Sequence, residues 1–242
     1  MIENFNKNIK NRYNMKKILL SLLTVAIAMA AQAGVEINTT NFPDDKFRSK
    51  VREYDINDDN YLSDAELATV TQMYARYSGI RSFEGIKYFT ALEELHAMGN
   101  ASLTAIDMSH NLALKVLEVD NCSSLSSIDV SQNLALEELD CRDISGLTSL
   151  DLDNNTNLKI LQCGYTGLTF LDLHYNRALE LLYCANCQLT ILDLSWQTAL
   201  RYVDCSDNPN LTGFSLNCAN TLESLEVLRT GISSLYLNNY HT

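Results

Sequence analysis

Apolar and polar positions follow one pattern that recurs every 21 or 22 residues from Phe89 to the C-terminus. Each unit is marked by a triplet in which Asp lies between two apolar residues, and two later copies lack the Asp. Self-similarity at a fixed period of this length predicts a solenoid, whose extended surface favours binding over chemistry in a pocket. The triplets occupy 106–108, 128–130, 150–152, 171–173 and 192–194, and the degenerate copies occupy 214–216 and 235–237.

Each unit contains two segments with strand periodicity. One has the form Leu-Thr-x-Leu-Asp-Leu-x-x-Asn, as in 147–155, and the other has the form Leu-x-x-Leu-x-Cys, as in 158–163. Because inward and outward residues alternate within Leu-x-Leu, both segments are predicted to be short strands. Equivalent strands of successive units are expected to stack as parallel ladders about 4.8 Å apart, with their leucines in buried columns.

Asn residues recur at both corners of the unit, where their side chains can satisfy backbone groups of a turn. Four follow the triplets by three residues: Asn111, Asn133, Asn155 and Asn176. The equivalent corner position in the other half of the unit is Asn in two repeats, at Asn100 and Asn208. In other repeats this position is Cys122, Thr166 or Cys187. Stacked Asn columns are therefore expected to line the corners.

Four of the seven cysteines also recur once per unit, at Cys141, Cys163, Cys184 and Cys205. They fill the apolar slot that Val119 and Val227 fill in other units, so they are expected to be reduced and buried. Disulfides are the general expectation for an exported chain, and the odd count leaves one thiol over. Metal binding is a weaker alternative, since only the Cys-x-x-Cys spacing of Cys184 and Cys187 supports it. The redox states of Cys122, Cys187 and Cys218 stay open.

The unit Leu-x-x-Leu-x-Leu-x-x-Asn, present twice per period, resembles the leucine-rich repeat family. The resemblance covers about residues 80–242 and is similar to the short nested repeats of exported Bacteroidetes proteins. It implies an α+β fold: a leucine-rich repeat solenoid of short parallel strands behind a small N-terminal helical, EF-hand-like cap. It also implies recognition of a protein or glycan through the repeat surface.

Residues 1–33 are predicted to be an N-terminal extension and a secretory signal peptide. The stretch 15–33 has a basic start, an apolar run and the small-residue end Ala31-Gln32-Ala33, which is the form of such a peptide. Cleavage there would leave Gly34 first, and Met15 is the expected true start. A transmembrane anchor is the alternative, but the apolar run is short for one. We expect a secreted or cell-surface protein without a later membrane span.

Residues 34–79 carry no repeat and are predicted to form the cap. One helix is expected after Asn41, with Pro43 in its first turn, and a second from Asp64 to about Tyr77. Their apolar residues at helical spacing are Phe42, Phe47, Val51 and Tyr54 in the first helix, and Leu67, Val70 and Tyr74 in the second.

The loop between these helices resembles the calcium loop of EF-hand and dockerin modules. The resemblance implies six oxygen donors, from Asp55, Asn57, Asp59, the Tyr61 carbonyl, Ser63 and Glu66. The family has Gly at the sixth position, where this chain has Asn60, a residue that tolerates left-handed backbone better than most. A weak calcium site is expected. The alternative is a metal-free cap in which Ser63 and Glu66 form a helix capping box.

Two surface features are candidates for function. The triplet Asp residues are expected to form an outward column, compensated either by nearby Thr and Ser hydroxyls such as Thr148 and Thr169, or by cations. Exposed apolar side chains in the middle repeats predict a partner-binding surface, with packing against a neighbouring loop or domain as the alternative. These residues are Ile160, Phe170, Leu181, Tyr183, Ile191 and Tyr202.

Charge and motif content narrow the function further. The sequence has 18 basic and 30 acidic residues, of which residues 1–33 hold five basic and one acidic. The remainder therefore has 18 − 5 = 13 basic and 30 − 1 = 29 acidic residues, a net charge of −16. Nucleic acid and anionic membranes are poor partners for such a protein. The sequence shows no nucleophile motif, His-Glu-x-x-His spacing or glycine-rich phosphate loop, so no enzymatic activity is expected. The prediction is a binding protein. The alternative is a structural spacer or a fragment of a longer cell-surface adhesin, since no closing repeat is visible.

Overall fold

The computed structural model describes residues 34–217 and 221–234, and it is a parallel-strand solenoid of about seven turns with few helices. This confirms the predicted fold. Within the described residues, eight strands form one parallel sheet in chain order. They are β3 (Gln72–Tyr74), β4 (Glu94–His96), β5 (Val116–Glu118), β6 (Glu138–Asp140), β7 (Ile160–Gln162), β8 (Leu181–Tyr183), β10 (Tyr202–Asp204) and β12 (Ser224–Glu226). A parallel pair, β9 (Ile191–Leu194) and β11 (Gly213–Leu216), lies outside this sheet.

The eight-stranded sheet comes from the Leu-x-x-Leu-x-Cys half of each unit. Its middle residues pair in register, as in Leu139 with Leu161 and Leu161 with Leu182, and all three are buried. The cysteine that follows extends the backbone ladder, since Cys163 N donates to the Tyr183 carbonyl at 2.8 Å. No unit buries its own leucines, so each coil depends on its neighbours.

The expectation of a second continuous ladder, in the triplet half, is wrong. Along the triplets the described residues contain the β9–β11 pair and one isolated bridge between Asp107 and Asp129. Each triplet Asp accepts a hydrogen bond from the backbone N–H two residues on, as in Asp151 Oδ1 with Asp153 N at 3.0 Å. The turn ends the extended stretch soon after the Asp and leaves few residues for pairing. Strand pairing persists only at β9 and β11 among the described triplets, although Asp193 makes the same bond.

The Asn column after the triplets is confirmed, and its side chains join neighbouring coils. Asn155 Nδ2 donates to the Val130 carbonyl at 3.1 Å and to the Asn133 carbonyl at 3.0 Å, both in the preceding coil. Asn133 and Asn176 repeat this geometry, and all three are buried. Gln197 continues the column with one bond to the Leu173 carbonyl. On this side of the coil, side-chain amides therefore bridge neighbouring coils, as backbone amides do in the sheet.

The opposite corner uses a mixed column. Asn208 Nδ2 donates to the carbonyls of Cys184 and Cys205, both at 2.9 Å, and Asn100 bonds Ala75 and Ala97 in the same way. Where Cys replaces Asn, its sulfur approaches a carbonyl: Cys187 Sγ lies 3.3 Å from the Cys163 carbonyl and Cys122 Sγ lies 3.4 Å from the Ala97 carbonyl. Thr166 uses its hydroxyl on the Cys163 carbonyl at 2.8 Å.

The cysteines of the described residues are free and buried, as predicted for the column Cys141, Cys163, Cys184 and Cys205. Burial raises the pKa of Cys122 to about 11 and that of Cys205 to about 12. Burial, and then the neighbouring thiols, also raise the pKa values of Cys163 and Cys184 well above the ordinary thiol value. The thiols therefore stay protonated and behave as small apolar side chains. Cys218 lies outside the described residues.

The cap differs from the prediction in two places. The first helix, α1 (Asp45–Val51), begins after Asp44 instead of Asn41, because Asp44 Oδ1 accepts the N–H groups of Lys46 and Phe47. A 3₁₀ turn, Arg52–Tyr54, continues it. The prediction that the second helix reaches Tyr77 is wrong: α2 spans Asp64–Thr69 only. The next residues form β3, because pairing with β4 outweighs their helical spacing.

The cap is tied to the start of the described chain. Strand β1 (Gly34–Glu36) pairs antiparallel with β2 (Tyr61–Ser63), and Val35 lies opposite Leu62. A second 3₁₀ turn, Ile86–Tyr88, leads into the repeats. No helix within 34–217 or 221–234 has the length and apolar character needed to cross a membrane. The predicted signal peptide, 1–33, lies outside the described residues.

Candidate interaction surface

The first and third residues of each strand in the eight-stranded sheet point away from the core, and we call this surface the sheet face. Side chains alternate between the two sides of a strand, and the middle residue of each strand packs in the core between coils, so the first and third residues must point outward. The first-position column, from β4 to β10, is Glu94, Val116, Glu138, Ile160, Leu181 and Tyr202. The third-position column over the same strands is His96, Glu118, Asp140, Gln162, Tyr183 and Asp204.

One end of the sheet face is apolar and aromatic. Ile160 pairs with Leu181 and Leu181 with Tyr202, so three of the predicted partner-binding residues lie side by side on neighbouring strands. Ile160 and Leu181 are half-buried, and Tyr202 is 42% exposed. Tyr183 covers Gly164, where an added Cβ would lie 2.4 Å from Tyr183 Cε1. The glycine therefore lets the ring lie flat against the sheet.

The other end of the sheet face is acidic and centres on His96. This ring is buried between two carboxylates, with Nδ1 at 2.7 Å from Glu118 and Nε2 at 3.2 Å from Glu94. Tyr74 stacks on it in parallel at 4.6 Å, and Arg76 bonds Glu118 at 2.8 Å. Burial raises the pKa of Glu118, but hydrogen bonds from His96 and Arg76 outweigh it, so the net shift is downward. Sequence spacing gave no sign of this cluster because its members lie on three successive coils.

The acidic end continues over the next strand. Arg142 binds Asp140 with two nitrogens, at 2.9 and 2.6 Å, and Asp140 is buried. Burial, and then the charges of Glu118 and Asp140, raise the pKa of Glu138. From β4 to β10 the sheet face is therefore polarised: apart from Val116 and Asp204, its carboxylates lie on β4 to β6 and its apolar and aromatic side chains on β7 to β10.

The other two predicted partner-binding residues, Phe170 and Ile191, lie elsewhere. Each precedes a triplet by one position, and Ile191 belongs to β9, which pairs with β11 and not with the eight-stranded sheet. Phe170 is 60% exposed and Ile191 is 55% exposed. We call the outward surface of the triplet halves the triplet face. The six predicted residues are thus outward, but the structure divides them between two surfaces.

The Asp column of the triplet face is outward, as predicted. Its compensation comes from backbone N–H groups, each bonded at 2.9 or 3.0 Å. Ser hydroxyls at other repeat positions add to it, in place of the hydroxyls before the triplets, such as Thr148 and Thr169, that the sequence suggested. Hydrogen bonds from the Ser131 backbone and hydroxyl lower the pKa of Asp129. The Ser195 and Ser215 hydroxyls lower the pKa of Asp193 in the same way. These carboxylates therefore hold the turns that follow the triplets.

An aromatic cluster on the triplet face was not predicted from the sequence. His174 lies 4.8 Å from Tyr175 and 5.0 Å from Trp196, with its ring on edge to both. Arg177 lies over the Trp196 ring at 5.0 Å. The sequence does contain a sign of this cluster. Tyr175 and Trp196 occupy equivalent positions in successive repeats, and earlier repeats have the polar residues Gln132 and Asn154 at that position.

Two shallow depressions are present on the described part of the triplet face, with volumes of about 390 and 210 Å³. Both are lined by Ile106 and Asp107. Both depressions are lined by Ser and Asp side chains, and neither of the two is lined by a His or a Cys.

The loop that resembles an EF-hand is closed by its own side chains. Asp55 accepts N–H bonds from Asp59 at 3.2 Å and Asn60 at 2.9 Å, and Glu66 accepts one from Ile56 at 2.8 Å. Asn60 has φ 63°, the left-handed conformation for which the family uses Gly. Ser63 and Glu66 form the capping box. Across 34–217 and 221–234, no three His, Cys, Asp or Glu side chains are grouped to hold a metal by themselves. A cation would also need Asn57, Ser63 and the Tyr61 carbonyl.

No protein-family model and no curated protein matches this chain, but solved structures do. The functional domain of InlJ from Listeria monocytogenes, which includes a cysteine ladder, is 25% identical over 85% of this chain and 54% of that one, with TM-score 0.46. Internalin C2 from the same organism is 18% identical over 83% and 96%, with TM-score 0.52. The leucine-rich repeat domain of the type III effector XopL is 17% identical over 73% and 70%, with TM-score 0.53. This chain spans about half the length of the first. The likeness to the other two shows a leucine-rich repeat fold.

Proposed function

We propose that this protein is an exported, non-enzymatic binding module that recognises a protein or glycan through its sheet face. The observation that carries the proposal is the in-register run Ile160, Leu181 and Tyr202, with Tyr183 beside it, on a surface that the fold does not cover. Burial of the middle leucines, not of these residues, holds the coils together. Clustered apolar and aromatic side chains on an open surface are typical of interaction sites.

A matched pair of variants tests the proposal. Leu181→Glu places a charge in the apolar end of the sheet face, and Leu134→Glu places one in the turn after Asn133, at a leucine that is 58% exposed and belongs to neither face. With mucosal protein extract immobilised as the probe, we expect Leu181→Glu to lose capture at least about tenfold and Leu134→Glu to keep it. Equal capture by wild type and Leu181→Glu, with both folded, would instead favour the structural spacer.

We propose export on the basis of the sequence of 1–33. The supporting observation is the basic start, apolar run and small-residue end of 15–33, after which cleavage would leave Gly34 first. Sequencing the N-terminus of protein recovered from a bacterial periplasm or medium should give Gly34. Recovery of an uncleaved, membrane-bound chain would support the transmembrane anchor.

A weak calcium site in the cap is a second proposal. Support comes from the Asp55 and Glu66 carboxylates, which are buried within the loop, and from the left-handed Asn60. Calorimetry should detect binding with a Kd of about 10⁻⁴ to 10⁻³ M, the range of extracellular modules. Asp55→Asn should abolish the heat, whereas Asp58→Asn, at an exposed loop position outside the donor set, should retain it. Absence of calcium heat in the wild type at millimolar concentration would contradict the site.

A further inference from the structure

The triplet face carries an exposed cluster that is unlike the rest of the solenoid. Four side chains in two consecutive coils are each about half exposed: Phe170 at 60%, Ile191 at 55%, Tyr175 at 51% and Trp196 at 47%. In earlier coils the place of Phe170 is taken by Ser127 and Ser149. The repeat therefore does not require apolar side chains here, and their presence needs a cause outside the packing of the coils.

Two members of the cluster, Tyr175 and Trp196, are held in place by their neighbours. His174 contacts the rings of both Tyr175 and Trp196, and Arg177 covers one side of the Trp196 ring. Asp172 Oδ1 accepts the backbone N–H of His174 at 2.9 Å, which links the backbone of His174 to the triplet. Rings that are ordered before binding lose less entropy when a ligand stacks on them.

Polar acceptors lie within the same two coils. Asp172 and Asp193 are exposed and follow Phe170 and Ile191 by two residues, so they point outward from the same side. The turn hydrogen bonds of both use Oδ1, and at Asp193 the hydroxyls of Ser195 and Ser215 also bind Oδ1. A carboxylate has acceptor capacity beyond that one oxygen.

The size of the cluster favours a small ligand over a protein. Four side chains that are each half exposed offer roughly 400 Å², whereas a stable protein interface needs about 800 Å² from each partner. Aromatic side chains that precede and follow a carboxylate acceptor in the same coil suit a pyranose ring, because one face of the sugar presents C–H groups for stacking and its edge presents hydroxyl donors.

We propose that Phe170, Tyr175, Ile191 and Trp196 form a glycan-binding platform on the triplet face, with Asp172 and Asp193 accepting sugar hydroxyls. This surface is separate from the sheet face, so the platform does not depend on the function proposed for that face. The ligand class is a neutral oligosaccharide.

Trp196 is the single tryptophan of the sequence, so its fluorescence reports on this platform alone. The probes are chitotriose, N-acetyllactosamine and cellotriose, each titrated to about 10 mM into the full-length protein. We expect a saturable change in emission with at least one sugar, at a Kd of about 1 mM or tighter. Tyr175→Ala keeps the reporter and should weaken that binding about tenfold or more, while Tyr202→Ala on the sheet face should leave it unchanged.

Two results would overturn the proposal. One is an emission that none of the three sugars changes; the other is an unaltered affinity in Tyr175→Ala, with the melting temperature confirming that the variant is folded. If Tyr175→Ala instead reduces capture of deglycosylated mucosal protein, the surface binds a protein and the glycan assignment is wrong. Leu181→Glu, which tests the sheet face, should not affect any of these titrations.

Discussion

The two faces of each coil are held together by different groups. On the sheet face, backbone amides bridge the coils through an unbroken parallel ladder from β3 to β12. On the triplet face, Asp side chains fix the turns and buried Asn side chains bridge the coils. Side chains therefore bridge the coils in the triplet half, whereas backbone amides bridge them in the sheet.

This difference shows where the repeat is free to vary. A backbone ladder leaves outward residues unconstrained, and the sheet face accordingly changes from Glu138 to Ile160 to Leu181 over successive strands. The triplet face repeats Asp and Asn at each turn, and it varies only between them, as at Phe170 and Tyr175. Recognition is expected where variation is permitted.

The largest contrast is expected between two amide side chains. Asn155→Leu removes the Nδ2 donor from two buried carbonyls, so we expect the free energy of unfolding to fall by about 3 kcal/mol. Gln162→Leu replaces an outward side-chain amide of β7 and should change the free energy of unfolding by less than about 0.5 kcal/mol. Urea unfolding measures both. A similar loss in the two variants would mean that the corner bonds contribute little.

A smaller effect is expected in the thiol column. Cys163→Ser buries a hydroxyl in an apolar slot and should cost about 2 kcal/mol, while Cys163→Val introduces the residue found at Val119 and should cost less than about 1.5 kcal/mol. Thermal unfolding under reducing conditions separates them. A serine variant as stable as the valine variant would show that the slot is not apolar.

The turn carboxylates should contribute less still. Asp151→Ala removes the acceptor for the Asp153 N–H and should cost about 1 kcal/mol, because a solvated turn bond has a small net value. Asp153→Ala, an equally exposed Asp two residues on, should have almost no effect. If the two variants are equally destabilised, loss of charge and not of the turn bond is responsible.

The smallest effects concern pH and have opposite signs on the two faces. Asp129 has a folded pKa below its ordinary 3.8, so its stabilisation is present above that pH and is lost as the pH falls through the lowered value. Glu138 has a pKa raised above 4.5, so it destabilises the fold as the pH rises through and beyond that range, and the cost disappears in acid.

Two isosteric variants test these signs. At neutral pH, Asp129→Asn should lower the stability slightly and Glu138→Gln should raise it. Below about pH 4, close to the ordinary carboxyl values, both differences should shrink towards zero. Melting temperatures across pH measure them, and a rise in stability for Asp129→Asn would contradict the structural role of the turn carboxylates.

Periodic features of the fold were predictable because each coil repeats the same burial. Asn155 and Cys163 each belong to a column, and a column in the sequence corresponds to one environment in the stack. The end of α2 at Thr69 was not predictable in this way. Leu67, Val70 and Tyr74 have helical spacing, and the segment Gln72–Tyr74 becomes a strand only by pairing with β4. Long-range pairing overrides local preference at such a boundary.

The candidate surface was predicted only in part, for a related reason. Alternation correctly placed Ile160, Leu181 and Phe170 outward, but it did not say on which side of the coil each residue lies. The division into sheet face and triplet face depends on which half of the unit forms the continuous ladder. The His96 and Trp196 clusters are contacts between coils, so they appear only when equivalent positions are compared along the stack.

Amide hydrogen exchange at residue resolution tests the contrast between the faces most directly. The amides of Leu139, Leu161 and Cys163, in the sheet ladder, should exchange at least about tenfold more slowly than those of Leu150 and Asp151 in the triplet. Equal protection in the two segments would reveal a second continuous backbone ladder and contradict the division of the coil into a backbone-bridged face and a side-chain-bridged face.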